Sequence, residues 1–87
     1  MNDDNTTNQI HGWLIGNFPL AKKRNVGVDE SLLETGIIDS LGTLEVVLYL
    51  EEEFGVVVTD DEMVADHFES VRSIATFVDS KSRAASA

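Results

Sequence analysis

The chain has 87 residues, of which 43% are hydrophobic, and this is enough for one folded domain but too little for a second core. Its 16 acidic residues and 6 Lys or Arg residues give a net charge of −10, which disfavours binding to nucleic acids and to anionic membrane surfaces. No apolar run is long enough to span a bilayer, and the polar start of the chain is not typical of a signal peptide. We therefore expect residues 1–87 to form a single monomeric domain, ordered from about residue 6 to residue 80, in the cytoplasm and without membrane insertion.

The first predicted helix covers Thr6 to Phe18. Thr6 with Gln9 three residues later fits a capping box, and Pro19 disfavours helix at the residue before it. Apolar residues spaced three and four apart, as on one helix face, are Ile10, Trp13, Leu14 and Phe18. We expect Trp13 and Phe18 to belong to the core rather than to a platform for a ligand.

The next segment, from Leu20 to Asp39, has no sustained periodicity and is predicted to be a long connection. We expect four aliphatic residues to hold it against the core: Leu32, Leu33, Ile37 and Ile38. Long loops are uncommon in small domains and are often functional.

The strongest predicted helix runs from Ser40 to Phe54 and ends at Gly55, a residue favoured just after a helix. At 100° per residue it carries two apolar faces. One face consists of Val46, Val47, Leu50 and Phe54. The other consists of Leu41, Leu44 and Leu48, flanked by Glu45 and Glu52. Burying the second face would bury carboxylates at a cost of several kcal/mol. We therefore predict that the first face is core and that the second is a binding surface; the alternative is that its leucines pack beneath the long connection.

The rest of the chain predicts two further helices. Val56 to Val58 is interpreted as a buried connection, and Thr59 with Glu62 as the capping box of a short helix that fades near Asp66. Ser70 is the predicted cap of a last helix that frays beyond about Ser80. Its predicted buried stripe is Val71, Ile74, Phe77 and Val78. The fold class predicted from these elements is all-α, a four-helix bundle with a long loop between helices 1 and 2 and a short third helix.

Ser40 on its own is an ordinary residue for the start of a helix. However, the run Gly36-Ile37-Ile38-Asp39-Ser40-Leu41, followed by an acidic helix that closes in Glu51-Glu52-Glu53-Phe54-Gly55, resembles the acyl carrier protein family over roughly Leu32 to Val78. The resemblance implies that a phosphopantetheinyl transferase moves 4′-phosphopantetheine from coenzyme A onto Ser40, and that cargo is then held as a thioester on the sulfur of this arm. A chain without cysteine agrees with a thiol that comes with the cofactor. Asp39 is expected to cap the helix and to contact the transferase, with Leu41 beside the attachment point.

The resemblance also implies where partner enzymes bind. The positions that match partner-binding positions of the family are Leu41, Leu44, Glu45, Leu48 and Glu52. Between Asn25 and Val71 the chain has 13 acids and no Lys or Arg, which suits partners with basic surfaces. Expected partners are the transferase, an acyl- or aminoacyl-loading ligase, and downstream acyltransferase or synthase enzymes. We also predict a hydrophobic slot for the cargo, lined by Val47, Val58, Met63 and Phe68, whose alternative role is ordinary core.

The cargo class stays open at this point. Asp39-Ser40-Leu41-Gly42-Thr43 also resembles discrete aminoacyl carriers such as D-alanyl carriers, and Gly42 stands where many fatty-acid carriers have an acid. A competing hypothesis is an acidic helical interaction module without a prosthetic group. Catalysis is disfavoured because no Gly-x-Ser-x-Gly elbow surrounds Ser40 and the sequence gives no reason to join His11 or His67 to it. No stretch has the pattern of an EF-hand metal loop.

Overall fold

The computed structural model describes the backbone of residues 3–86 and the side chains of residues 5–39 and 41–82. Within these residues every regular element is a helix. The elements are α1 (Asp3–Asn17), α2 (Pro19–Arg24), α3 (Ser40–Phe54), a 3₁₀ turn (Asp60–Glu62), α4 (Ala65–Phe68) and α5 (Val71–Ser86). The predicted all-α fold class is confirmed, with α2 as an addition inside the segment predicted to be a loop. None of the helices in the described part of the chain has the length and apolar character needed to cross a membrane.

Helix α1 starts earlier than the sequence predicts. It is already helical at Asp3, so the predicted capping box of Thr6 and Gln9 is wrong. The Thr6 hydroxyl instead donates to Asp79 Oδ1 on α5 at 3.2 Å, and the Gln9 amide donates to a Glu53 carboxylate oxygen at 2.7 Å. The side chains of Thr6 and Gln9 therefore bond to residues that are distant in sequence and do not cap a helix.

The short helix α2 begins at Pro19, the residue that was predicted only to end α1. Proline suits the first turn of a helix, because its fixed φ is helical and the missing N–H needs no partner there. The helix ends at Asn25, whose φ of 51° is left-handed and whose N–H donates to the Lys22 carbonyl. Its inner face buries Ala21.

The core lies between α1, α3 and α5. Its largest fully buried side chains include Ile10, Leu14, Leu50, Phe68 and Ile74. Trp13 and Phe18 are partly buried and pack against this core, as expected.

The connection between α2 and α3 is attached to the start of α5. Leu32, Ile37 and Ile38 are buried as predicted, and Leu33 is half-buried. The Leu32 N–H donates to the Glu69 carbonyl at 2.7 Å, and the Arg72 N–H donates to the Val28 carbonyl at 3.0 Å. These bonds fix the path of the chain that leads into α3.

The segment between α3 and α5 departs from the prediction in two places. Val56 is buried, but Val57 is 69% exposed, so the predicted buried connection is wrong at that residue. The Thr59 N–H donates to Glu62 Oε1 at 3.0 Å, which confirms the predicted pairing. The predicted third helix is nevertheless divided into a 3₁₀ turn and α4, because the backbone at Val64 is extended.

Helix α5 confirms its predicted start and its predicted buried face. The Ser70 hydroxyl oxygen accepts the Ser73 N–H at 3.1 Å, and the stripe Val71, Ile74, Phe77 and Val78 is buried. The helix continues to Ser86, beyond the predicted boundary near Ser80. Lys81 lies in this extension, where its ammonium donates to the Glu62 carboxylate at 2.7 Å and lies 5.9 Å from the centre of the Phe77 ring. Through these contacts Lys81 attaches the extension of α5 to Glu62 and Phe77, which the sequence did not indicate.

Candidate functional site

The start of α3 is organised by Asp39. This residue is the N-cap of the helix in an extended conformation, and its Oδ1 accepts the Gly42 N–H at 2.8 Å. Its carbonyl accepts the Thr43 N–H at 2.8 Å and the Thr43 hydroxyl at 2.9 Å. The capping role expected for Asp39 is confirmed. Ser40 is therefore the first helical residue and not the cap.

Ser40 lies between two exposed residues of the chain. The side chain of Ser40 lies outside the described side chains, so the prediction that it holds the cofactor stays a prediction. On either side of it, Asp39 is exposed and Leu41 is 72% exposed. The N–H groups of Ser40 and Leu41 precede the first bond of the helix and have no carbonyl partner within it, so the positive end of the helix dipole lies here.

The two faces of α3 are divided as the sequence predicts. Val46, Val47 and Leu50 are buried and Phe54 is partly buried. On the other face Leu41 is 72% exposed, Leu44 48% and Leu48 60%, and Glu45 and Glu52 are exposed as well. The alternative, in which these leucines pack beneath the long connection, is wrong because all three are exposed.

Two shallow grooves run along the exposed face of α3. The first, which we name the α2–α3 groove, has a volume of about 350 Å³. The residues of its lining that matter here are Phe18, Leu20, Ile37, Asp39, Leu41 and Glu45. The second, the α1–α3 groove, has a volume of about 320 Å³ and is lined by Trp13, Asn17, Glu45, Leu48, Tyr49 and Glu52. Glu45 belongs to both grooves, so the two form one continuous surface.

Aromatic packing forms the floor of the α1–α3 groove. The Trp13 ring stacks on Tyr49 with 4.2 Å between ring centroids, and Phe18 meets Trp13 edge-on at 5.6 Å. Burial, together with the nearby Glu53 carboxylate, raises the pKa of the Tyr49 hydroxyl. Tyr49 therefore stays protonated at neutral pH and contributes no charge to this acidic surface.

Gly42 leaves room for Phe18, the residue before α2, against the first turn of α3. A β-carbon at this position would lie 3.3 Å from Phe18 Cε1 and 3.4 Å from Asp39 Oδ1. Phe18 therefore packs over the first turn of α3, next to the exposed Leu20. Sequence reasoning missed this part of the site, and the available signals were Pro19 as a helix start and a glycine in the first turn of a helix.

The residues predicted to line a cargo slot lie on α3, on α4 and in the segment between these helices. Val47 and Phe68 are core residues, and Val58 and Met63 are partly buried against the core. None of them lines the two grooves described above, and the slot stays a prediction.

The two histidines have structural contacts of their own. His11 Nε2 lies 2.6 Å from the Val26 carbonyl oxygen, and the His67 ring stacks on Phe77 at 4.3 Å. Each ring therefore links one segment of the chain to another.

The sequence of the chain matches a known protein family over a region that includes the start of α3. Residues 20–78, more than half of the chain, match the sequence model of the family described as "Phosphopantetheine attachment site". The chain belongs to this family. Its cofactor is therefore covalently attached 4′-phosphopantetheine.

Curated relatives point in the same direction. The chain is 38% identical over 47 residues to the D-alanyl carrier proteins of Streptococcus pyogenes serotype M5 (strain Manfredo) and serotype M49 (strain NZ131). The matched segment covers 54% of this chain and 60% of each relative. The chain thus spans about 60% of the length of the curated relatives it matches.

The residues at the start of α3 are chemically suited to this cofactor. A phosphodiester needs hydrogen-bond donors, and the N–H groups of Ser40 and Leu41 are available by helix geometry. The attached arm needs access to solvent, which the exposed neighbours Asp39 and Leu41 indicate.

Proposed function

We propose that Ser40 holds the 4′-phosphopantetheine arm, and that the protein carries acyl groups and presents them to partner enzymes without catalysing a reaction itself. The observation that carries this proposal is the capping of α3 by Asp39. Because Asp39 takes the capping role, Ser40 is left as the first helical residue between two exposed neighbours. When bound, the arm supplies the thiol that the chain lacks and holds the acyl group as a thioester.

In this proposal the residues around Ser40 present it to the modifying enzyme. The Asp39 carboxylate holds the first turn of α3, so the backbone at Ser40 keeps one conformation while the transferase works. Leu41 offers an exposed apolar side chain directly beside the attachment point. A pre-organised segment of this kind lowers the entropy lost when the two proteins associate.

The leucine–glutamate face of α3 is the proposed contact surface for partner enzymes. Exposed apolar side chains supply contact area, and the carboxylates steer basic partners toward it. The residues proposed to bind partners are Leu41, Leu44, Glu45, Leu48 and Glu52. The proposed partners are a phosphopantetheinyl transferase, a loading ligase, and downstream acyltransferase or synthase enzymes. Binding should weaken as ionic strength rises, and an affinity that is flat from low to high salt would contradict the role of the glutamates.

Intact-mass measurement tests the attachment point. After incubation with coenzyme A and a phosphopantetheinyl transferase, the wild-type chain should gain one arm, and Ser40→Ala should gain none. Thr43→Ala is the matched control, because it removes a hydroxyl from the same first turn of α3 and should still be modified. Modification of Ser40→Ala, or a wild-type mass unchanged by a broad set of transferases, would refute the proposal.

A more specific candidate is an aminoacyl carrier. It is favoured by the D-alanyl carrier proteins to which the chain is similar and by the run Asp39 to Thr43. The burial of Val47 and Phe68 agrees with a small cargo, because a long acyl chain lined by these residues would have to displace them from the core. Release of the thioester-bound group from the protein of the native host, followed by mass spectrometry, distinguishes the two cargo classes: an amino acid supports this candidate, and a fatty acyl or polyketide group excludes it.

A further inference from the structure

The α2–α3 groove begins at the proposed attachment point. Asp39 and Leu41, the two neighbours of Ser40 in the chain, both line it. We propose that this groove is the resting site of the pantetheine part of the arm when no partner enzyme is bound. The inference rests on the proposed attachment at Ser40 and adds a binding site for the attached group.

The lining of the groove matches the chemistry of pantetheine. That group combines a pair of geminal methyls with two amides and a hydroxyl. Apolar walls from Phe18, Leu20 and Ile37 suit the methyls, and the carboxylates of Asp39 and Glu45 at the rim can accept hydrogen bonds from the amide N–H groups.

The size of the groove limits what it can hold. Its volume of about 350 Å³ lies near the lower end of the range for small-molecule sites, which is roughly 300–1,000 Å³. This space suits the arm with a free thiol or a small cargo, and a long acyl chain would extend beyond it.

The other places that could receive the arm fit less well. The α1–α3 groove is lined by α3 residues from Glu45 to Glu52, which lie about 7.5–18 Å beyond Ser40 along the helix axis. Neither Asp39 nor Leu41 lines that groove. The slot predicted from the sequence would need Val47 and Phe68 to leave the core, whereas the α2–α3 groove is already open.

Nuclear magnetic resonance tests this inference without an activity assay. Isotope-labelled protein is loaded with an unlabelled arm from coenzyme A, and intact mass first verifies that the arm is attached. Nuclear Overhauser contacts are then expected between the geminal methyls of the arm and the methyl groups of Leu20 and Ile37. Contacts with Val58 or Met63 instead, or no contacts with the protein at all, would overturn the inference.

Two matched variants support the experiment. Leu20 is 47% exposed and Val57 is 69% exposed, so aspartate at either position adds one charge without opening the core. Leu20→Asp should abolish the contacts between the arm and Ile37, whereas Val57→Asp should retain them. If both variants kept these contacts, or both lost them, the proposed resting site would be refuted. A chain that is never modified at Ser40 refutes the proposed function, and a modified chain without these contacts refutes only the resting site.

Discussion

Asp39 permits a quantitative test of how the start of α3 is held. Asp39→Ala removes the carboxylate that accepts the Gly42 N–H at 2.8 Å. Loss of such a cap costs about 1 kcal/mol, in a range of about 0.5–2. A domain of 87 residues has a free energy of unfolding of roughly 4–13 kcal/mol, so the loss is easily measured. For a domain of this size it lowers Tm by about 4–8 °C per kcal/mol.

The matched variant Asp39→Asn separates capping from charge. Asparagine keeps an oxygen that can accept the same N–H, but it loses the favourable interaction of a carboxylate with the helix dipole, which contributes about 0.3–1 kcal/mol. We expect Asp39→Asn to lie between the wild type and Asp39→Ala in urea unfolding followed by far-ultraviolet circular dichroism. An unchanged Asp39→Ala protein would refute the capping argument. Equal losses in both variants would show that the charge, and not the cap, stabilises the helix.

Three further predictions follow from the burial and charge of other residues. Leu32→Ala should lower the free energy of unfolding by about 2–5 kcal/mol in urea titrations, because Leu32 is fully buried where the connection meets α5. The hydrogen bond from Lys81 holds the pKa of Glu62 below its usual value of 4.5, so the stability that Glu62 contributes is present above about pH 4.5 and is lost as the pH falls through its folded pKa. Glu62→Gln should therefore flatten the decrease of Tm in acid. Leu48→Asp should weaken partner binding with little change in Tm, whereas Leu50→Asp should unfold the protein, since Leu48 is 60% exposed and Leu50 is fully buried.

Each of these predictions has a clear contrary result. A loss below about 0.5 kcal/mol for Leu32→Ala would mean that the connection is not anchored by this side chain. An acid-induced decrease of Tm that is the same in wild type and Glu62→Gln would assign the pH dependence to other carboxylates. Loss of stability in Leu48→Asp equal to that in Leu50→Asp would contradict the division of α3 into two faces.

The parts of the fold that were predicted correctly depend on local signals. Helix α3 carries a helical period and ends at Gly55, whose φ of 68° suits a glycine. The Ser70 cap and the buried stripe of α5 are also local. The charges also predicted which face of α3 is exposed. Glu45 and Glu52 lie beside the leucines of that face and are exposed together with them.

The errors arise where contacts distant in sequence decide the structure. Thr6 bonds to Asp79 near the other end of the chain, so no local pattern indicates that α1 starts before it. Helix α2 has only six residues and is too short to show a period. Val57 is apolar and exposed between the buried Val56 and the half-buried Val58, which a run of three valines does not reveal.

The proposed attachment point was predictable from the sequence, whereas the groove beside it was not. Asp39, Ser40 and Leu41 are contiguous, so their pattern is visible in the sequence. The α2–α3 groove combines Phe18 and Leu20 with residues about twenty positions later, and only the folded chain brings these together.

The close contact at Gly42 limits how this surface can be redesigned. The β-carbon of an acidic residue introduced there, at the position where many fatty-acid carriers have an acid, would require the Phe18 ring to shift by a few tenths of an ångström. Substitutions meant to change which partner enzymes bind are better made at Leu44 or Glu45, whose side chains are exposed. Gly42 thus favours close packing of Phe18 over a charged side chain in the first turn of α3.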